Sequence, residues 1–188
     1  MVGIKMQAQI KTEGFSPIKR DMEITRVTFE NYLKKYDEAP LLNNIRGTEA
    51  TYTEGKGVEI TVEAPNAEIL MNTQFNNFKM GDDEILDTFY TEEIINLQQK
   101  RLEMAISKFV VEFRSYLPKL KPNETFAIVL NIADAKRTFN GKEKALSPKS
   151  GSRAYHLSVK IKMSDLYALD NGELNETQFS ERILIEKK

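Results

Sequence analysis

The sequence predicts an α+β fold: an antiparallel or mixed β-sheet with one long helix, at about 91–117, packed on a face, and short helices near the C-terminus. Three observations carry this expectation. Val58, Ile60, Val62 and Ala64 alternate with Glu59, Thr61 and Glu63, the period of two of a half-buried strand. Ile95, Leu102, Ile106, Phe109, Phe113 and Leu117 recur at helical steps. Two further alternations follow, at 126–132 and 155–163.

In chain order, Ile4, Met6, Ala8 and Ile10 alternate ahead of Gly14 and Pro17, so residues 1–20 read as an edge strand or an ordered arm. Met22, Val27, Phe29, Tyr32, Leu33 and Tyr36 fit a helix over 22–36 that ends before Pro40. Ala50 to Thr53 is β-prone, and Gly55-Lys56-Gly57 offers positive φ, so residues 48–64 read as a hairpin closed by Pro65. Residues 66–83 read as a long excursion with the apolar anchors Leu70, Phe75 and Phe78. The long helix should stop at Pro118 and lie on the sheet.

Phe126 to Ile132 is apolar on both faces, as a central strand requires. Tyr155, Leu157, Val159, Ile161 and Met163 alternate with His156, Ser158, Lys160 and Lys162, a strand with one wet face, which can pair with its predecessor through the intervening basic loop. Ser164 is placed to cap a short helix stopped by Gly172, and Asn175 with Gln178 forms a capping-box pattern. Ile183, Leu184 and Ile185 suit a last strand. Length favours one domain over 1–188.

Composition narrows the function classes. Twenty-seven basic against 28 acidic residues give a net charge of -1, which argues against general nucleic-acid binding. The charge is uneven: residues 134–153 hold Lys136, Arg137, Lys142, Lys144, Lys149 and Arg153 against Asp134 and Glu143, a local +4 with -5 elsewhere. With no cysteine, disulfides, thiolate nucleophiles and cysteine-bound metals are excluded. No apolar run is long enough to span a bilayer, and the first residues lack the apolar stretch of a signal peptide. A secreted chain whose leader had been removed would read the same way.

The candidate chemistry is sparse. His156 is the only histidine, so any histidine-dependent catalysis must use this ring, and its place beside Ser158, Lys160 and Lys162 suits a surface residue. Asp82, Asp83, Glu84 and Asp87 cluster before the long helix without EF-hand spacing; with Glu92 and Glu93 they suit the positive end of a helix dipole. Gly55-Lys56-Gly57 lacks P-loop spacing and precedes a strand. Phe109, Phe113 and Tyr116 suit a core, and the glycosylation-type tripeptides at Asn123 and Asn175 are discounted. The basic segment, with Asn140-Gly141, Pro148 and Gly151, is the expected partner-binding loop through Lys136, Arg137, Lys142, Lys144, Lys149 and Arg153; Phe139 alone is no stacking platform for a nucleic acid. No residue is assigned to catalysis, cofactor or metal.

Three stretches together resemble a group of uncharacterised bacterial proteins made with a signal peptide and exported. They are Tyr52 to Ile60 with its Gly-x-Gly-Val; Leu117 to Glu124 leading into Phe126; and Ser164-Asp165-Leu166 with Gly172-Glu173-Leu174, Phe179, Arg182 and Ile183. The resemblance covers roughly 45–188 and implies a shared fold and an extracytoplasmic location, with cytoplasm as the alternative; it implies no catalytic residue.

The first functional expectation is a non-enzymatic interaction or scaffolding domain of the bacterial envelope, with another protein as partner and the basic loop and hairpin edge as contact surfaces. The alternatives are a small-molecule binder with an apolar pocket between long helix and sheet, lined by Phe109, Phe113 and Leu130, and a carboxylate- or metal-dependent hydrolase at Asp82, Asp83 and Asp87.

Overall fold

The computed structural model describes residues 14–36, 41–42, 45–65, 92–139, 142–146 and 151–188. Helix α1 spans Pro17–Lys35. Pro17 therefore opens a helix instead of closing a strand, which corrects the arm reading for residues 17–20. Ser16 caps it, its Oγ accepting from the Lys19 N–H at 3.4 Å, and a proline in the first turn gives up an N–H that has no helical acceptor. Residues 1–13 lie outside the described residues.

Strands β1 (Gly47–Thr53) and β2 (Gly57–Pro65) form the expected hairpin, turned at Gly55 and Gly57, both at positive φ. Helix α2 spans Glu92–Phe113, shorter than its apolar repeat suggested, because the chain tightens into a 3-10 turn at Arg114–Tyr116 and is extended at Leu117, ahead of Pro118. The excursion at 66–83 and the acidic cluster Asp82 to Asp87 lie outside the described residues.

Strand β3 (Thr125–Ala133) is central: the main sheet runs β1, β2, β3, then β6 (Tyr155–Lys162) and β7 (Leu184–Lys187). Neighbours are antiparallel except β2 and β3, which run parallel with α2 between them in the chain, so the sheet is mixed. Between β3 and β6, β4 (Ala135–Phe139) and β5 (Lys142–Leu146) form a two-stranded sheet of their own.

One sheet face carries Val58, Ile60, Val62, Phe126, Ile128, Leu130, Leu157, Val159 and Ile161, all buried. Helices α1 and α2 cover it, contributing Phe29, Leu33, Leu102, Ile106 and Phe109; the Phe29 and Phe109 rings lie 4.9 Å apart. Burial of each such side chain is worth roughly 1.5–3 kcal/mol, so this layer dominates the stability. The second face is polar at β1 and β2, where Glu49, Glu59 and Glu63 are exposed. At β3 it is buried at Ala127 and Val129, as the two apolar faces of that strand suggested, and at β6 it is drier than the sequence suggests, because Ser158 is buried there.

After β6, α3 (Met163–Asp170) starts without a side-chain cap. Ser164 lies inside the helix and is not its cap: the Met163 and Ser164 N–H groups donate to the Glu124 and Pro122 carbonyls, so the loop before β3 satisfies the helix end. Gly172, at φ 75°, ends α3, and α4 (Glu176–Ser180) carries the full Asn175–Gln178 capping box.

Candidate functional site

The segment expected to be the partner-binding loop includes the antiparallel ribbon β4–β5, with Phe139 opposite Lys142 and two residues, Asn140-Gly141, between them in the chain. An Asn-Gly pair between short β-prone runs is a strong hairpin signal; the abundance of lysine and arginine masked it. The register sets Arg137 directly opposite Lys144 and Lys136 opposite Ala145. Lys149 lies outside the described residues.

The root of the ribbon is clamped. Asp134, the single residue between β3 and β4, accepts from the Ser152 hydroxyl at 2.6 Å and from the Arg153 N–H at 2.9 Å. One carboxylate thus ties the outgoing chain to the returning one. Arg153, expected among the partner-binding cations, takes part in this root through its backbone.

A cleft of about 430 Å³ opens beside the root, at the carboxyl ends of the parallel strands β2 and β3. Ala133 and Ala154, the neighbours of the clamp, form part of its wall, with Glu63, Asn131, His156, Arg46 and Lys188 among its other described lining residues. Crevices at the carboxyl ends of parallel strands are where open sheets bind ligands. The side chains sit on rigid elements: Glu63 pairs with Asn131 and Asn131 with His156 across the sheet, while His156 and Lys188 exchange backbone hydrogen bonds at 2.8 and 3.0 Å. The Arg46 N–H donates to the Glu63 carbonyl at 2.8 Å, extending the β1–β2 ladder.

No protein-family model matches the chain, nor does any curated protein or solved structure.

His156, read from the sequence as a surface residue, is half-buried and meets the Asn131 side-chain oxygen through Nδ1 at 2.8 Å. In that arrangement Nδ1 carries the proton and Nε2 remains for another partner. Asn131 escaped notice because it stands alone in an apolar strand, where it is the one polar side chain beyond the terminal threonine. Nearby, the Lys160 ammonium holds the Glu186 carboxyl below its ordinary range, and the two lie 2.8 Å apart.

The residues nominated for an apolar pocket go elsewhere. Phe109 and Leu130 are fully buried in the core, and the Phe109 ring stacks on Phe113 at 4.9 Å. Phe113 instead borders a surface groove between α1 and α2 with Tyr32 and Tyr36. Tyr155 is buried on the helix side of β6; burial, then the nearby Glu103 carboxylate, pushes its hydroxyl well above the ordinary phenol range. Among the described residues that hydroxyl has no hydrogen-bond partner. Glu103 is held by Lys187 at 2.6 Å, which ties β7 to α2. Among the described residues no group of three or more acidic or histidine side chains is placed to hold a metal, and no helix is long and apolar enough to cross a membrane.

Proposed function

We propose that this chain is a non-enzymatic interaction domain that holds an acidic surface of a protein partner on the β4–β5 ribbon. The carrying observation is the register of that ribbon, which sets Arg137 opposite Lys144 and Phe139 opposite Lys142. Like charges directly opposite one another destabilise a strand pair, and a two-stranded ribbon is marginal by itself. An acidic partner offsets the first cost and supplies packing for the second. The clamp at Asp134 supports the same reading, because it fixes the direction in which the ribbon leaves the main sheet.

A protein surface suits this element better than a nucleic acid. The chain carries a net charge of -1, and the ribbon has a single aromatic residue, Phe139, so neither a broad positive field nor a stacking platform supports phosphate-backbone binding. For location, the reading adopts the bacterial envelope, supported by the resemblance of the three segments to exported proteins.

The test uses poly-L-glutamate as an acidic polypeptide probe, with the quadruple variant Lys136→Ser, Arg137→Ser, Lys142→Ser, Lys144→Ser in the full chain. The parent binds at low salt and releases as ionic strength shortens the screening length below about 8 Å. The variant loses that binding while keeping the parent's thermal unfolding. Undiminished binding by the variant, or DNA bound more tightly than polyglutamate, would overturn the reading.

A further inference from the structure

The cleft at the root of the ribbon is chemically unlike the ribbon itself. Where the ribbon is rich in cationic residues, with Glu143 its one acidic residue, the cleft wall mixes both signs: Arg46 and Lys188 are cationic and Glu63 is anionic. No ion pair joins Arg46 or Glu63 to each other or to another residue among those described. Between the charges lie the Asn131 amide and the His156 ring, whose Nδ1 is already engaged. A simple anion is opposed by Glu63, and a simple amine by Arg46 and Lys188. A ligand carrying both an ammonium and a carboxylate meets a partner at each end.

The dimensions agree. Glu63, Asn131, His156 and Lys188 form one row across four neighbouring strands, three strand spacings of about 4.8 Å each. An extended tripeptide covers about 10 Å at roughly 3.4 Å per residue, and the glutamate and lysine side chains reach inward over the remainder. The volume of about 430 Å³ falls in the range of small-ligand sites and is too small for a folded partner.

We infer that this cleft binds the zwitterionic form of a short peptide, with its ammonium at Glu63 and its carboxylate at the His156 and Lys188 end. His156 Nε2, when protonated, donates to the carboxylate, while Asn131 fixes the ring plane. The proposal goes beyond the ribbon's role and uses different side chains.

The experiment titrates triglycine, N-acetyltriglycine and triglycinamide into the full chain and follows the imidazole ¹H and ¹³C signals of His156, which are unambiguous because the chain has one histidine. Triglycine should give a saturable shift below about 10 mM, with each blocked peptide at least about fivefold weaker. Glu63→Gln should bring triglycine down to the affinity of its acetylated form and leave polyglutamate binding unchanged. The quadruple ribbon variant should leave the triglycine titration unchanged, so the two readings fail separately. No saturable shift, or equal binding of free and blocked peptides, would overturn the inference.

Discussion

The Tyr52 hydroxyl donates to the Glu124 carboxylate at 3.1 Å, a bond between residues 72 apart in the chain. The same carboxylate accepts from the Gly55 N–H at 2.9 Å and the Lys121 N–H at 2.8 Å. Glu124 is 1% exposed, and its four partners in the fold, counting the Met163 N–H on its carbonyl, join the β1–β2 turn, the loop before β3 and the start of α3. Buried carboxylates are retained where donors converge, and two of the three donors here are backbone groups that would otherwise lack an acceptor.

Substitution at this junction should therefore rank by donors left unmet. Glu124→Ala should lower the melting temperature most, Glu124→Gln less, and Tyr52→Phe least. Thermal unfolding followed by circular dichroism reads the order, and Tyr52→Phe matching Glu124→Ala would contradict it.

Glu124 also sets an acid limb. The Lys121 N–H, joined by the Gly55 N–H and the Tyr52 hydroxyl, holds its carboxyl below the ordinary value of 4.5 against the opposing effect of burial. A depressed folded-state value means that the stabilisation is complete above the ordinary range and is lost as pH falls through the lower value. Glu30 and Glu186 are lowered as well, chiefly by Lys34 and Lys160, but these partly exposed pairs are screened by salt. Acid unfolding in about 0.5 M salt should thus retain a limb that Glu124→Gln removes.

Gly57→Ala should destabilise by about 3 kcal/mol or more, combining overpacking with strained backbone. Gly57 lies at φ 117°, and an added Cβ would fall 2.0 Å from the Thr125 carbonyl oxygen at the start of the parallel pairing. Gly55, at φ 77°, faces open space, so Gly55→Ala carries only the conformational cost of about 1–3 kcal/mol. Urea midpoints of the two variants compare them directly.

Tyr155→Phe should preserve or raise stability, by up to about 1 kcal/mol, because it removes a buried hydroxyl that has no hydrogen-bond partner among the described residues. A lower urea midpoint would show that the hydroxyl is satisfied in solution.

How far the fold could be read from the chain depended on which contacts were local. The β1–β2 hairpin, the central character of β3 and the capping box at Asn175 follow from neighbouring residues, and each is found where expected. Ser164 was misplaced as a cap because the groups that satisfy α3 come from Pro122 and Glu124, some forty residues earlier in the chain. The site divides the same way. The basic residues from Lys136 to Arg153 were nominated from the charge, polarity and turn residues of their segment, but the pairing of those at 136–144 depends on cross-strand register. The cleft escaped entirely, since Arg46, Glu63, Asn131, His156 and Lys188 meet only through the order of five strands and carry no shared motif.

The clamp at Asp134 offers an independent handle on the ribbon. Asp134→Ala removes the acceptor for the Ser152 hydroxyl and the Arg153 N–H while every ribbon cation stays in the sequence. It should weaken polyglutamate binding by several-fold and speed amide exchange over 135–146, while the main sheet keeps its protection. Unchanged binding and exchange would show that the ribbon does not depend on its root.

The most direct measurement is calorimetric titration of poly-L-glutamate, over a salt series, into two variants of equal charge: Arg137→Ser with Lys144→Ser, and Lys100→Ser with Lys119→Ser. The second pair is exposed and lies on α2 and the loop before β3. If the ribbon is the contact element, the first variant loses about tenfold or more in affinity with a shallower salt dependence, and the second stays near the parent. Equal losses in both would mean that net charge alone governs binding, and the ribbon would have no special role.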